Sequence, residues 1–292
     1  LGPDLVGKNI IVTGASRGLG FVIARNLAGK GANLLLVARD ITRLESSCQD
    51  LQRDADKGAE ICFFDVNLND TSAIDKIVRK ARGAWDSLHG LVNNAGILGP
   101  IGKVWENDWD AWQETIEINL LAPVALCRAC IPWMAESGGG RIVNLSGGGA
   151  TGPRPNFSAY AVSKTGIVRF TEILAEEVRD LNIQVNCIAP GALNTDMLQA
   201  VLASSPAKAG ASEHESAVRQ SEEGGADPKI AAELCAFLMS SGSDKITGKL
   251  ISALWDPWKD FEKYAEEIAE TDIYNLRRIV PRDRGKSWGD SI

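Results

Sequence analysis

The chain has 292 residues, 45% hydrophobic and 24% charged, with a formal charge of -7 and a pI near 5.1. This is ordinary globular composition, and the acidic balance argues against non-specific nucleic-acid binding and against an anionic membrane surface. No apolar run reaches the roughly 18–20 residues that span a bilayer, so neither nucleic acid nor membrane is expected as a partner.

The first residues, LGPDLVGK, carry no basic-then-apolar leader pattern and no Met. They read as a processed or trimmed start. A cytoplasmic location is the expectation, with a processed organellar form left open. The two histidines, His89 and His214, lack ligand-like spacing, and no metal site is expected. Six cysteines in a chain of this length do not suggest a disulfide scaffold. Cys127-Arg-Ala-Cys130 is formally CxxC, but it lies in an apolar helical run and reads as packing rather than redox or metal chemistry.

In chain order, NIIVT (9–13) reads as a short buried strand. The turn Gly14-Ala-Ser-Arg-Gly18-Leu-Gly20 follows it, and then an amphipathic run. NLLLVA (33–38), EICFFDV (60–66), LHGLVNNAG (88–96), GRIVNLS (140–146), NIQVNCIAPG (182–191) and GKLISA (248–253) read as six further strands. Between them lie helical patterns, the longest being DWDAWQETIEINLLAPVALCRACIPWMAESG and NFSAYAVSKTGIVRFTEILAEEVRD. Alternation of this kind predicts an α/β fold: a Rossmann-type, doubly wound, parallel seven-stranded sheet with helices on both faces. No linker-like shift occurs before about residue 254. One domain (1–254) is expected, with a lid at 193–227 and a partly helical C-terminal extension at 255–292.

Glycines at 14, 18 and 20 sit where the first strand turns into the first helix, where a dinucleotide pyrophosphate meets free N–H groups and the positive helix end. The second strand ends Val37-Ala38-Arg39-Asp40. Arg39 at its tip and Arg17 in the glycine turn favour NADP(H) over NAD(H). The alternative is that Asp40 turns in to the ribose and selects NAD(H), or caps the next helix. Tyr160 and Lys164, four apart on a helix, share a face, and an ammonium beside a phenol makes the tyrosine usable as an acid or base near neutral pH.

Taken together, Thr13-Gly14-Ala-Ser-Arg-Gly18-Leu-Gly20, Asn93-Asn94-Ala95-Gly96, Tyr160-x-x-x-Lys164 and Pro190-Gly191 resemble the short-chain dehydrogenase/reductase family, in its single-domain branch. The resemblance covers about residues 7–253. It implies cofactor binding by Gly14, Ser16, Arg17, Gly18, Leu19, Gly20 and Arg39. It puts Asp65 and Val66 on adenine, and Asn93, Ala95 and Gly96 at the central strand and along the cofactor. Pro190, Gly191 and Thr195 fall near the nicotinamide, with Thr195 on its carboxamide. Tyr160 becomes the acid/base, with Lys164 on the nicotinamide ribose and lowering the tyrosine pKa, and Asn119 holding a relay water. A homodimer or homotetramer is implied, formed through the two long helices and the seventh-strand edge. The implied reaction interconverts a ketone and a secondary alcohol, with a small-molecule carbonyl or alcohol as partner.

The family places a serine thirteen residues before the tyrosine, where this chain has Gly147; Ser146 is one place earlier. A one-residue shift on a strand turns a side chain to the other face. Three readings are open. Gly147–Gly149 permit a bulge that recruits Ser146 as a catalytic residue. Alternatively another donor, such as a backbone N–H of Gly147–Gly149, Ser158 or a substrate hydroxyl, polarises the carbonyl. Or the chemistry is weak or lost, leaving a nucleotide-binding protein with a sensing or partner-binding role. The lid is small-residue-rich and polar, and is expected to be mobile until ligand binds. Arg154, between two prolines, is either a solvated surface residue or a reader of a substrate anion.

Trp109 and Trp112 share a helix face and read as core or subunit contacts; Trp105 is placed nearer the cleft. Trp255 and Trp258 read as core or interface. DFEKYAEEIAE reads as a short amphipathic helix, followed by a basic run (Arg277, Arg278, Arg282, Arg284, Lys286). The tail is expected over the active-site side of its own or a neighbouring subunit, its basic run cradling an anionic substrate or pairing with acidic surface.

Overall fold

Runs such as NIIVT and NLLLVA are apolar at every position because both faces of their strands are covered. In the computed structural model, which describes residues 4–55, 58–70 and 72–288, the strands are β1 (Asn9–Thr13), β2 (Asn33–Ala38), β3 (Ile61–Asp65), β4 (Gly90–Asn93), β5 (Gly140–Leu145), β6 (Ile183–Ala189) and β7 (Leu250–Ser252). They form one parallel sheet in the order β3-β2-β1-β4-β5-β6-β7. Side chains alternate between two cores. Ile10, Val12, Leu34 and Leu36 face α1 (Gly18–Ala28), α2 (Ile41–Asp54) and α10 (Pro228–Leu238). Ile11, Leu35 and Val37 face α3 (Ala73–Arg82), α5 (Ala122–Glu136) and α6 (Ser158–Glu177). The chain reverses its winding between β1 and β4, which opens a crevice at the carboxyl ends of those strands.

The long helix after β4 is α4 (Trp109–Ile116), a π turn (Glu117–Leu121) and α5 in continuous sequence. Contrary to the sequence expectation, this 28-residue helix is long and apolar enough to cross a membrane by length and composition. Half of its apolar window is buried inside the fold, which accounts for its hydropathy without a bilayer. Cys127 and Cys130 lie on the buried face. Burial pushes both thiols up, Cys130 to about 12, so these are packing groups with little thiolate character.

The lid is largely helical: α7 (Asp196–Ala203), α8 (Pro206–Ala209) and α9 (Ala211–Glu223). Leu198, Val201, Ala209 and Ala217 pack on Leu98, Phe157 and Tyr160 in a separate apolar cluster.

The C-terminal extension departs from expectation. It continues through a 3-10 turn (Trp258–Tyr264) and α11 (Ala265–Glu270), and then runs against the outer edge of β7. The Leu250 N–H donates to Tyr274 O at 2.9 Å, and Asn275 Nδ2 donates to Gly248 O at 2.7 Å. Two buried charges anchor it. Lys249 Nζ donates to Thr271 O and Asn275 Oδ1, both at 2.7 Å. Glu172 on α6 accepts from the Leu276 N–H at 2.6 Å and pairs with Arg169. Trp258 is buried, while Trp255 is exposed. Within its own subunit this segment therefore lies along a sheet edge rather than over the crevice, held there by Lys249 and by the Leu276 N–H on Glu172. Within the basic run, Arg277 pairs with Asp272 and Asp283; Arg278, Arg282, Arg284 and Lys286 are exposed.

Candidate active site

The nucleotide end is built from β1 and the start of α1. Gly14 and Gly18 have φ of 65° and 55°, the left-handed region that glycine adopts freely. A Cβ on Gly20 would collide with the Gly14 carbonyl oxygen and the Asn94 amide, so α1 sits closer to the strand than any other residue permits. The Thr13 hydroxyl accepts the N–H groups of Asn94 and Ala95 at 3.0 and 3.1 Å, and Asn94 Nδ2 donates to Thr13 O at 3.0 Å. These bonds lock the β4 exit onto the glycine turn. Thr13 and Asn94 were missed as site-shaping residues, although both stand inside the quoted motifs.

The first turn of α1 has no side-chain cap, and its leading N–H groups, at Gly18, Leu19 and Gly20, open toward the crevice end of the sheet. This fits a pyrophosphate. Ser16 is half-buried, with its carbonyl oxygen accepting from the Ser47 hydroxyl. Arg17 is exposed and pairs with Asp196 at the start of α7. Thr195 faces the same turn, its Cγ2 being 4.0 Å from where a Gly18 Cβ would lie.

Asp40 caps α2: its Oδ1 accepts the Arg43 N–H at 3.1 Å, and it pairs with the Arg43 side chain. That leaves Arg39 exposed at the tip of β2. Asp65 ends β3, exposed, and Val66 N–H donates to Ala38 O. Asn93 is buried inside the sheet, with Nδ2 donating to Asn144 Oδ1 at 2.8 Å. Its side chain ties β4 to β5, and the crevice wall is left to Ala95 and Gly96. A Cβ on Gly96 would approach Asn119 Oδ1 to 3.2 Å and Lys164 Nζ to 3.5 Å. Pro190 and Gly191 follow β6; Gly191, at φ 91°, packs on Leu254.

The catalytic end gathers Asn119, Tyr160 and Lys164, all buried. Asn119 lies in the π turn, which rolls the helix so that its amide reaches the strand exit. Its Oδ1 accepts the Ile97 N–H and its Nδ2 donates to Ile97 O, both at 2.8 Å, and to Ser163 Oγ at 3.1 Å. Ser163 in turn donates to Tyr160 O at 2.7 Å. Lys164 Nζ donates to Leu145 O at 2.9 Å and lies 5.7 Å from the Tyr160 ring centroid. Burial pushes Lys164 down to about 8. Burial also pushes Tyr160 up, and the cation opposing that rise is Arg154, not Lys164.

The bulge expected to recruit Ser146 is absent. Ser146 N–H donates to Ile188 O at 2.8 Å, so the ladder runs on regularly past β5. The Ser146 hydroxyl is buried beside the Cys187 thiol, with no oxygen or nitrogen partner among the described residues. It is position 147 that faces the tyrosine. A Cβ on Gly147 would overlap the Tyr160 hydroxyl and come 3.0 Å from its Cζ. Ser158 Oγ accepts from Trp112 Nε1 at 3.1 Å, and Trp112 stacks on the exposed Trp109 at 5.3 Å. Trp105 is exposed.

The short chain dehydrogenase family model matches residues 8–205. Among curated relatives, human dehydrogenase/reductase SDR family member 4 is 30% identical over 247 residues, covering 85% of this chain and 86% of its own length. A 3-oxoacyl-[acyl-carrier-protein] reductase of Chlamydia muridarum is 34% identical over 249 residues, covering 85% and 96%. Among solved structures, L-sorbose reductase from Gluconobacter frateurii, complexed with NADPH and L-sorbose, superposes with a TM-score of 0.77 at 28% identity over 86% of this chain and 97% of that one. A parallel sheet with its glycine turn and a buried Tyr-Lys-Asn set at the strand ends agrees with these matches: the chain belongs to the short-chain dehydrogenase/reductase family and is an NAD(P)-dependent oxidoreductase.

Proposed function

We propose that this protein interconverts a ketone and a secondary alcohol, with NADP(H) preferred and a polar, polyhydroxylated substrate. The observation that carries the chemistry is Tyr160, buried at the strand ends with Asn119 and Ser163 hydrogen-bonded behind it and Lys164 beside its ring. Bound nicotinamide supplies or accepts the hydride. Tyr160 gives its proton to the carbonyl oxygen in reduction and takes it back in oxidation. Lys164, an ammonium below about pH 8, lies beside the Tyr160 ring and is held on the Leu145 carbonyl, where a nicotinamide ribose would meet it. Asn119 fixes the turn after β4 through both Ile97 backbone groups.

The NADP(H) preference rests on Asp40. A carboxylate engaged as a helix cap is not available to the ribose hydroxyls, while Arg39 is exposed at that end and Arg17, also exposed, would exchange its Asp196 partner for a 2′-phosphate. The sorbose reductase neighbour, with NADPH and a sugar, supports a polar substrate. Assembly through the long helices α5 and α6 is favoured, since the chain's own tail covers the edge of β7.

The test is steady-state turnover of ketone and alcohol panels with NADPH and NADH, for the native chain and Tyr160→Phe. Native turnover with NADPH, lost at least a hundredfold in Tyr160→Phe at unchanged cofactor affinity, is expected. Tight cofactor binding without turnover on any panel refutes the reading in favour of a non-catalytic nucleotide-binding role.

A further inference from the structure

Gly147 has no side-chain hydroxyl to polarise a carbonyl, and Ser146 does not come round to do so. A different group lies on the same glycines. Arg154, in Gly152-Pro-Arg-Pro-Asn156, is carried back over the strand end by its two prolines and is largely covered, its side chain 21% exposed. Its guanidinium lies over the Phe157 ring at 4.1 Å and sits 6.0 Å from the Tyr160 ring centroid. Glu213, on lid helix α9, takes two of its donors through one oxygen, Nε at 3.1 Å and Nη2 at 2.8 Å. Nη1 makes no hydrogen bond among the described residues. It lies 3.6 Å from where a Gly148 Cβ would stand, while the Tyr160 hydroxyl fills the corresponding space at Gly147. A phenol and a charged donor therefore sit on adjacent glycines that carry no side chain to separate them. Gly147 is absent from the positive-φ residues, so what glycine contributes there is room for the Tyr160 hydroxyl.

We propose that Arg154 is a catalytic residue of this enzyme, its Nη1 donating to the reacting carbonyl oxygen in place of the missing serine hydroxyl. This rests on the carbonyl-reductase reading above. In reduction the carbonyl carbon takes a hydride from the reduced nicotinamide, which is oxidised. The C=O π pair moves to oxygen, and the oxygen takes the phenolic proton of Tyr160. Arg154 gives up no proton, because guanidinium stays charged across the working range. It holds the charge that accumulates on oxygen between those events, as an oxyanion donor does. Glu213 occupies the other edge of the fork, so lid closure and delivery of Nη1 are one geometry.

Arg154→Met tests this with two readouts. The first is kcat with the best substrate, with NADPH Kd measured alongside. A loss of about 100-fold in kcat at unchanged Kd is expected. The second needs no turnover: ultraviolet difference titration of tyrosinate in the cofactor-free protein, with Tyr160→Phe identifying the Tyr160 component. That component moves to higher pH when the neighbouring cation is removed. Should Arg154→Met fail to fold, Arg154→Lys carries the same kcat test, with about a tenfold loss expected because a single ammonium does not reproduce the fork. An unreduced kcat, or a Tyr160 titration that does not move in Arg154→Met, overturns the proposal. If the native chain turns over no carbonyl at all, the broader reading fails by itself, and the titration still decides whether Arg154 acts on Tyr160.

Discussion

Lys164 is 4% exposed, its only hydrogen-bond acceptor among the described residues the Leu145 carbonyl. Burial lowers it from 10.5 to about 8. At about 1.4 kcal/mol per pH unit, that gap corresponds to roughly 3 kcal/mol. The sign follows from proton uptake. Between about 8 and 10.5 the unfolded chain carries the proton and the folded chain does not, so stability falls as pH drops through that window and levels off below it. Lys164→Met lacks this dependence. Chemical denaturation of the two cofactor-free proteins at pH 7 and pH 9.5 reads the difference. Relative to the native chain, the variant is expected to lose about 2 kcal/mol of its advantage between those two pH values, since pH 9.5 stops about one unit short of the upper end of the window, where the unfolded lysine is still largely protonated. Buried thiols such as Cys130 and Cys235, held up to about 12, destabilise the fold as pH rises past the ordinary cysteine range. They do so equally in both proteins and cancel. A stability difference that is the same at both pH values would refute the claim that burial controls this lysine. The ammonium would then be solvated, and its charge would do little for a phenolate at Tyr160.

Gly20→Ala places a methyl against the Gly14 carbonyl and Asn94. It is expected to cost about 2 kcal/mol or more and to weaken NADPH binding at least tenfold, read by denaturation and fluorescence titration. Ser146→Ala removes a buried hydroxyl with no oxygen or nitrogen partner among the described residues. Stability should be unchanged or raised by up to about 1 kcal/mol, with kcat within twofold; a large kcat loss would return Ser146 to the mechanism. Truncation after Glu270 strips Lys249 of its Thr271 and Asn275 acceptors and Glu172 of the Leu276 N–H, leaving Glu172 with Arg169. It should cost about 3 kcal/mol without raising substrate KM, whereas a manyfold rise in KM at retained stability would put the tail back over the crevice.

What could be read from the chain alone was set by local geometry. The seven strands showed as buried runs between helical patterns, and Tyr160 and Lys164 met because residues four apart on a helix share a face. The glycine turn was legible for the same reason: strand, turn and helix follow one another directly. The features that escaped depend on partners far along the chain. Whether Ser146 or Gly147 faces the tyrosine is a question of pleat parity, and parity is fixed by the bond from Ser146 to Ile188 on β6. Asp40 was ambiguous until α2 began at the next residue and claimed its carboxylate. Arg154 looked like a surface residue because Glu213, its partner, stands 59 positions away on the lid. The tail's edge pairing has no strand pattern to announce it, since Tyr274 and Asn275 contribute backbone and amide groups rather than an alternating run.

The absence of the serine acquires a different meaning in this light. A side chain at 147 and the present seat of the Tyr160 hydroxyl are mutually exclusive, because a Cβ there overlaps that oxygen. Glycine at 147 is thus the condition for the tyrosine to lie against the strand end. The Arg154 fork lies beside position 148, its Nη1 3.6 Å from where a Cβ there would stand. A lost hydroxyl, a deeper tyrosine and a covered arginine form one steric arrangement, and substitutions at any of the three should prove non-additive with the others.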